Sequence, residues 1–196
     1  MAFKDYKLLE TSDNVDLQHL EYFHPDTLDV IILETPALDV FADFHTKQPR
    51  IIHQLALANS ALEHMKTEKV RALLVVDDND QVIGLINSND VQGMKRTQIA
   101  QKHDVNAKDV TVEMLMTPAS KLTMIDYSLL KNAVVGHIAR LLNEKNLDYI
   151  LVFEVDPKGK KIIRGILSAS FISRKLGMQI GRDLALNTLA EINRII

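Results

Sequence analysis

The feature that most constrains this chain is a hairpin with no polar face, written twice. Ala72-Leu73-Leu74-Val75-Val76 is followed by the acidic turn Asp77-Asp78-Asn79-Asp80, by Val82-Ile83-Gly84-Leu85-Ile86, and by the polar cluster Asn87-Ser88-Asn89-Asp90. A strand with one face in water alternates apolar and polar residues; these runs do not, so both faces are expected to be covered. The same order returns as Tyr149-Ile150-Leu151-Val152-Phe153, a turn around Asp156-Pro157-Lys158-Gly159, and Ile162-Ile163-Arg164-Gly165-Ile166-Leu167-Ser168. Gly165 lies 81 residues after Gly84 and Val152 lies 77 after Val75, the longer second turn taking up the difference. Two units at this spacing are too few and too long for a solenoid, whose repeats run ~20–50 residues. They predict a pseudo-twofold pair in which each copy covers an open sheet face of the other, with a cleft between the halves.

Periodicity supplies the remaining elements. Thr35-Pro36 suits the cap and first position of a short helix carrying Ala37, Val40, Phe41 and Phe44. Arg50-Ile51-Ile52-His53 predicts a brief strand, and Leu55, Ala58, Leu62 and Met65 form a buried helical stripe. Residues 91–103 read as helix. In the second half Thr117-Pro118-Ala119 echoes Thr35-Pro36-Ala37 at an offset of 82, Leu122-Thr123-Met124-Ile125 matches the brief strand, and Leu130, Val134, Ile138 and Leu141 give the second stripe. Residues 1–34, with Val30-Ile31-Ile32-Leu33 read as a strand or a packed extended segment, are too apolar for a disordered tail and are expected to lie as an arm along the body. Leu189, Ile192 and Ile196 predict a tail helix. The expectation is an α/β chain divided into an arm (1–34), a first repeat (35–104), a second repeat (105–177) and a tail (178–196).

With 196 residues, 46% of them hydrophobic and 25% charged, the chain can bury a sizeable core. A net charge of -3 with both signs interspersed gives no basic field for nucleic acid or an anionic membrane. There is no cysteine, no apolar run near the ~20 residues of a membrane helix and no apolar signal region at the start, so a cytoplasmic location is expected. Asp77-Asp78-Asn79-Asp80 imitates the opening of a calcium loop, but Ser88 or Asn89 stands where the bidentate Glu belongs. The seven histidines show no i,i+4 zinc pair on one helix. Without a phosphate loop, a dinucleotide fingerprint or a nucleophile elbow, neither catalysis nor a metal is expected.

Order, spacing and duplication together resemble the tandem CBS (cystathionine-β-synthase) domain pair over roughly residues 36–176, most tellingly at Glu113-Met114-Leu115-Met116-Thr117-Pro118, Leu73-Leu74-Val75-Val76-Asp77 and Gly84-Leu85-Ile86-Asn87-Ser88-Asn89-Asp90. The resemblance implies β-α-β-β-α units and a non-catalytic regulatory module. Its ligand would be AMP, ADP, ATP or S-adenosylmethionine, bound as a regulator with no cofactor required. It also implies a homodimer, commonly a disc, that signals by association with an unidentified effector protein.

The family's ligand signature is Gly, about two apolar residues, Thr or Ser, two variable residues and Asp. The carboxylate accepts both ribose hydroxyl protons, the hydroxyl donates to a phosphate or sugar oxygen, and the following helix start offers N–H groups to an anion. In the first copy Gly84 and Asp90 match, with Asn87 in the hydroxyl position and Ser88 beside it. In the second Gly165 and Ser168 match, and Phe171 takes the Asp position, leaving no ribose acceptor, so that half-site is expected to be degenerate or filled. The resemblance therefore places a ribonucleotide in the cleft around Asp90, with adenine between apolar residues near Ile51, Ile52, Leu73 and Ile86, and with Arg71, Lys95 and Arg96 as phosphate contacts. Structural readings compete at each position. A carboxylate in a first helical turn is stabilised by about 0.3–1 kcal/mol with no ligand. Ser88, Asn89 and Ser168 are N-cap residue types, and Arg71 suits a surface arginine lying along an apolar strand. The alternative is a ligand-free dimerisation module whose nucleotide sites have decayed.

Overall fold

The computed structural model describes residues 31–181; most of the expected arm and the tail helix lie outside them. The first half runs β1 (Ala42–Asp43), β2 (Ile51–His53), α1 (Ala58–Thr67), β3 (Ala72–Val76), β4 (Val82–Asn87), α2 (Ser88–Gln92) and α3 (Met94–Lys102). The second runs α4 (Val112–Leu115), β5 (Thr117–Pro118), β6 (Met124–Asp126), α5 (Tyr127–Leu130), α6 (Val135–Glu144), β7 (Tyr149–Val155), β8 (Lys161–Ser168) and α7 (Ala169–Leu176). Two four-stranded sheets result, β2-β3-β4-β5 and β1-β8-β7-β6. In each, the expected hairpin is the antiparallel centre, and the brief strand runs parallel beside its first strand.

The fourth strand of each sheet comes from the other half. Ala42 and Asp43 of β1 pair with Ile166 and Gly165, while Thr117 and Pro118 of β5 pair with Leu85 and Gly84. The segments leading into these strands cross as well. Pro36 bridges Val134 and Leu57 bridges Thr111, and the Ala37 and Ala58 N–H groups donate to Ala133 and Val110 carbonyls, each at 2.9 Å. Accordingly Ala37 and Val40 are buried in the core of the second repeat, and Val110, Val112 and Leu115 in that of the first.

This exchange corrects several sequence readings. The counterpart of Thr117-Pro118 is Ala42-Asp43, because both cross the glycine strand of the opposite hairpin; the echo with Thr35-Pro36 is a coincidence of composition. The expected helix after Thr35-Pro36 is a single 3-10 turn, Ala37–Val40, since Phe41 turns extended to enter β1. Residues 31–33 form no strand; the Leu33 and Thr35 carbonyls instead accept the N–H groups of Gly136 and Val135, each at 2.8 Å, satisfying open donors at the start of α6. The second stripe is split between α5 and α6, and residues 91–103 between α2 and α3, which part at Gly93 in extended backbone. Leu55 precedes α1 and is exposed.

Alternation within the hairpins explains why both faces are apolar. Leu73, Val75 and Ile86 point into the first repeat's core and Ile150, Val152 and Leu167 into the second's. Leu74, Leu85 and Leu151 form a third cluster with Phe44, Tyr149, Ile163 and Ile166, joining the two sheets. At the crossings there is room for glycine alone. A Cβ on Gly165 would lie 2.3 Å from the Ala42 carbonyl oxygen and 2.4 Å from the Phe41 ring, and one on Gly84 2.7 Å from the Thr117 carbonyl oxygen.

A charged clamp secures one crossing. Arg164 on β8 grips Asp43 on β1 with two bonds, Nε to Oδ1 at 2.8 Å and Nη2 to Oδ2 at 2.9 Å, donates to Glu154 at 2.8 Å and stacks 4.6 Å from the Tyr127 ring centroid. The Arg164 hydrogen bonds hold the Asp43 carboxyl below the usual aspartate value, against the opposing effect of burial.

Three outcomes follow from this packing. Gly165→Ala is expected to cost about 1–3 kcal/mol, the scale of an overpacked interior, read as a lower urea midpoint with unchanged slope. Because Asp43 has a depressed folded pKa, its contribution is complete above the ordinary value of about 3.9 and fades as pH falls toward the lower folded value. Stability curves of wild type and Asp43→Asn should therefore converge in that acidic window, and Arg164→Ala should cost about 1.5–3 kcal/mol at neutral pH, the range for hydrogen bonds to charged groups.

Candidate functional site

Exchange of the leading segments opens a groove where β1, the start of β3 and the start of α7 meet. One cavity of about 470 Å3 is walled by Val40, Phe41, Val70, Tyr149, Ile166 and Phe171, with Ser168 and Ser170 at one side. Four basic residues, Lys47, Lys69, Arg71 and Arg174, line it against one acid, Asp39. A second cavity of about 440 Å3 shares the walls at Ala42, Lys47, Val70, Ala72 and Ile166 and continues past Phe44, Gln48, Leu73, Leu74 and the Arg50–Glu68 ion pair. The Arg174 guanidinium lies 5.5 Å from the Phe171 ring centroid, and the two serine hydroxyls are 3.0 Å apart. The Ser168 hydroxyl also accepts the Phe171 N–H at 3.4 Å, capping α7. Chemically this is a half-enclosed apolar slot with a cationic mouth, suited to a flat apolar group bearing an anion.

Asp90 lies elsewhere, on the opposite hairpin. Asn87 and Asp90 are buried and close a reciprocal capping box: the Asn87 side chain accepts the Asp90 N–H at 3.0 Å and the Asp90 carboxylate accepts the Asn87 N–H at 3.2 Å. The other Asp90 oxygen accepts Lys95 Nζ at 2.7 Å, and the same ammonium donates to the Leu115 carbonyl. Lys95 is thus committed to an internal carboxylate rather than aimed at a phosphate. Arg96 likewise holds the Ala107 carbonyl at 2.8 Å and Asn59 at 2.7 Å, tying α3 to α1 and the connecting loop.

The expected adenine sandwich does not assemble. Ile52, Leu73 and Ile86 sit in the first repeat's own core, filled by Met65, Val91 and Leu115, because strand alternation turns them away from the other sheet; Ile51 is largely exposed. Ser88 opens α2, half-buried, its N–H on the Arg71 carbonyl at 2.9 Å. Of the expected residues, Arg71, Leu73 and Ser168 line the two cavities; Asn87, Ser88, Asp90, Ile51, Ile52 and Ile86 do not.

Lys47, Lys69, Phe171 and Arg174 went unread as lining residues because the cleft is built from parts far apart in sequence. The available signal was Arg174 three residues after Phe171 on an amphipathic helix, a spacing that sets both on one face.

Residues 41–93 match the CBS domain family. No curated protein sequence matches the chain. Among solved structures it is similar to an uncharacterized conserved protein from Pyrococcus horikoshii, at 21% identity over 74% of this chain and 93% of that one, with a TM-score of 0.52. CBSX2 from Arabidopsis thaliana is 23% identical over 71% and 92% of the two chains with a TM-score of 0.46, and a CBS domain pair solved with 5'-methylthioadenosine and S-adenosyl-L-methionine is 22% identical over 73% and 96% with a TM-score of 0.47. Residues 41–93 carry the CBS domain sequence pattern, and the second half repeats its strands in the same sheet order with a reciprocal exchange of edges, so the chain has the fold of a CBS-domain pair with the family's sequence pattern recognised in its first repeat.

Proposed function

We propose that this protein is a non-catalytic regulatory module that binds a phosphorylated adenine nucleotide in the cleft beside Ser168. One observation carries the reading: an apolar slot of about 470 Å3 between the repeats, lined by four cationic side chains and a single acid. The CBS resemblance supplies the adenosyl class and the lining supplies the preference within it. AMP, ADP and ATP present anionic groups to Lys47, Lys69, Arg71 and Arg174, whereas the sulfonium of S-adenosylmethionine meets charge of its own sign. Phe171, in place of a carboxylate, offers a stacking face but nothing to hold a ribose diol.

Binding acts as a signal through difference. The cleft draws walls from β1 and the start of β3 on one side and from α7 on the other, so a ligand stabilises whichever relative placement of these elements fits it best, and only that differential affinity can shift the protein or an effector. Homodimerisation and a cytoplasmic setting belong to the same reading.

A second reading has its own observation. Asp90 is paired with Lys95, and Phe171 stands at the corresponding position of the other half, so neither half presents an open carboxylate at that register position. On this reading the chain is a dimerisation module whose sites have decayed.

Thermal unfolding separates the two. A nucleotide at a hundred times its Kd stabilises by about 2.7 kcal/mol, which raises Tm by about 5–10 °C for a chain of this length. AMP, ADP or ATP should produce that shift, S-adenosylmethionine a smaller one, and added salt should diminish it. Arg174→Ala should weaken nucleotide binding roughly tenfold to a hundredfold while leaving adenosine unaffected, as expected for one charge-assisted contact to phosphate. No shift with any of these compounds, in a chain that remains dimeric, establishes the second reading.

A further inference from the structure

The two hairpins are superposable by register: Val75 faces Gly84 as Val152 faces Gly165, and Pro118 crosses Gly84 as Asp43 crosses Gly165. Counting from these anchors, Asn87 corresponds to Ser168, Asp90 to Phe171, and Leu115 to Val40. In one half of the molecule Val40 and Phe171 both line the open 470 Å3 cavity. In the other half the corresponding space, between Leu115 and Asp90, is spanned by one ammonium group, which donates to the Leu115 carbonyl and to Asp90 Oδ1 at 2.7 Å. The cavities described above touch neither Asn87 nor Asp90.

We propose that Lys95 is a built-in occupant of the second cleft, so that each chain takes one nucleotide rather than two. The ammonium supplies what a bound molecule would have to supply there, hydrogen-bond donors aimed at a buried carboxylate and at a backbone carbonyl. Asp90 is 9% exposed at its side chain and Lys95 40%, so the stem reaches inward from the surface while the charge is delivered to the interior. A ligand could reach Asp90 only by displacing a short charge-assisted bond and leaving the lysine in search of another partner, a contest that an intramolecular donor wins at ordinary ligand concentrations. The pseudo-twofold symmetry of the fold is thereby broken at the level of binding. Two architecturally equivalent clefts become one regulatory site and one internal ion pair.

The inference rests on the reading that the open cleft takes a phosphorylated adenine nucleotide, and one experiment tells their failures apart. AMP bound per chain is counted by native mass spectrometry and by isothermal titration calorimetry for the full wild-type chain, Lys95→Ala and Lys95→Met. Lys95→Met keeps the apolar stem and cannot donate to Asp90, so it serves where the alanine variant does not fold; circular dichroism reports which variants are folded. The expected result is one AMP on the wild type and two on a folded Lys95 variant. Two on the wild type, or one on both, overturns the role of Lys95 and leaves the nucleotide reading standing. None on the wild type and one on a Lys95 variant supports the role of Lys95 and overturns the open cleft as the nucleotide site. None on any of them overturns both.

Discussion

The rest of this structure depends on two places where backbone lies directly against backbone, the crossings of β1 over Gly165 and of β5 over Gly84. At each a short strand leaves its own half to complete the sheet of the other, and the crossing is possible because the strand beneath presents no Cβ. The consequence is larger than two pairs of residues. Once the edges are exchanged, each core is completed by side chains from the other half, Ala37 and Val40 in one direction and Val110, Val112 and Leu115 in the other. A single repeat would lack both an edge strand and part of its core, so the two halves stabilise each other and fold as one unit. The cluster around Leu74, Leu85 and Leu151 then has a fixed partner to pack on, and the cleft has fixed walls.

The crossing that carries the open cavity is also the one with a charged clamp. Arg164, Asp43, Glu154 and Tyr127 form a partly buried group at the end of β1, whereas the position that corresponds to Arg164 in the first hairpin is Ile83. A bidentate arginine–carboxylate pair resists bending as well as separation, since both bonds fix the guanidinium plane. It therefore holds Ala42 and Asp43 in place at the border of a slot that would otherwise be formed by a two-residue edge strand.

The hairpins, the duplication and the α/β class were legible because they are written in contiguous residues: a run of five apolar positions, an Asn-containing acidic turn and a glycine strand cannot easily become anything else. The exchange was not legible, because strands of two residues such as Ala42–Asp43 and Thr117–Pro118 have no periodicity to read, and the echo of Thr-Pro-Ala drew the alignment of the halves toward a false register. The site suffered for the same reason. The sequence casts Asp90 as a ribose acceptor and Lys95 as a phosphate contact, but their five-residue separation across the break at Gly93 conceals that the partner of each is the other. Arg71 and Ser168 entered the cleft because they flank the hairpins, whose geometry the sequence does specify. Lys47, Lys69 and Arg174 come from a loop, a helix end and a helix face that only the assembled fold draws together.

What the fold does with its symmetry is the remaining step. Two repeats that exchange edges offer two architecturally equivalent grooves. Here the grooves differ at one register position, with a buried carboxylate and its own ammonium in one half and a phenylalanine under an arginine in the other. The first contributes internal stability, because a paired and capped carboxylate holds the turn between β4 and α2 whether or not any ligand is present. The second places a stacking surface and positive charge where a carboxylate would stand, which on the proposed reading weights recognition toward the anionic end of a ligand. One half holds its hairpin through an internal ion pair while the other keeps a cavity open, and the shared cluster of Leu74, Leu85 and Leu151 packs the two sheets against each other.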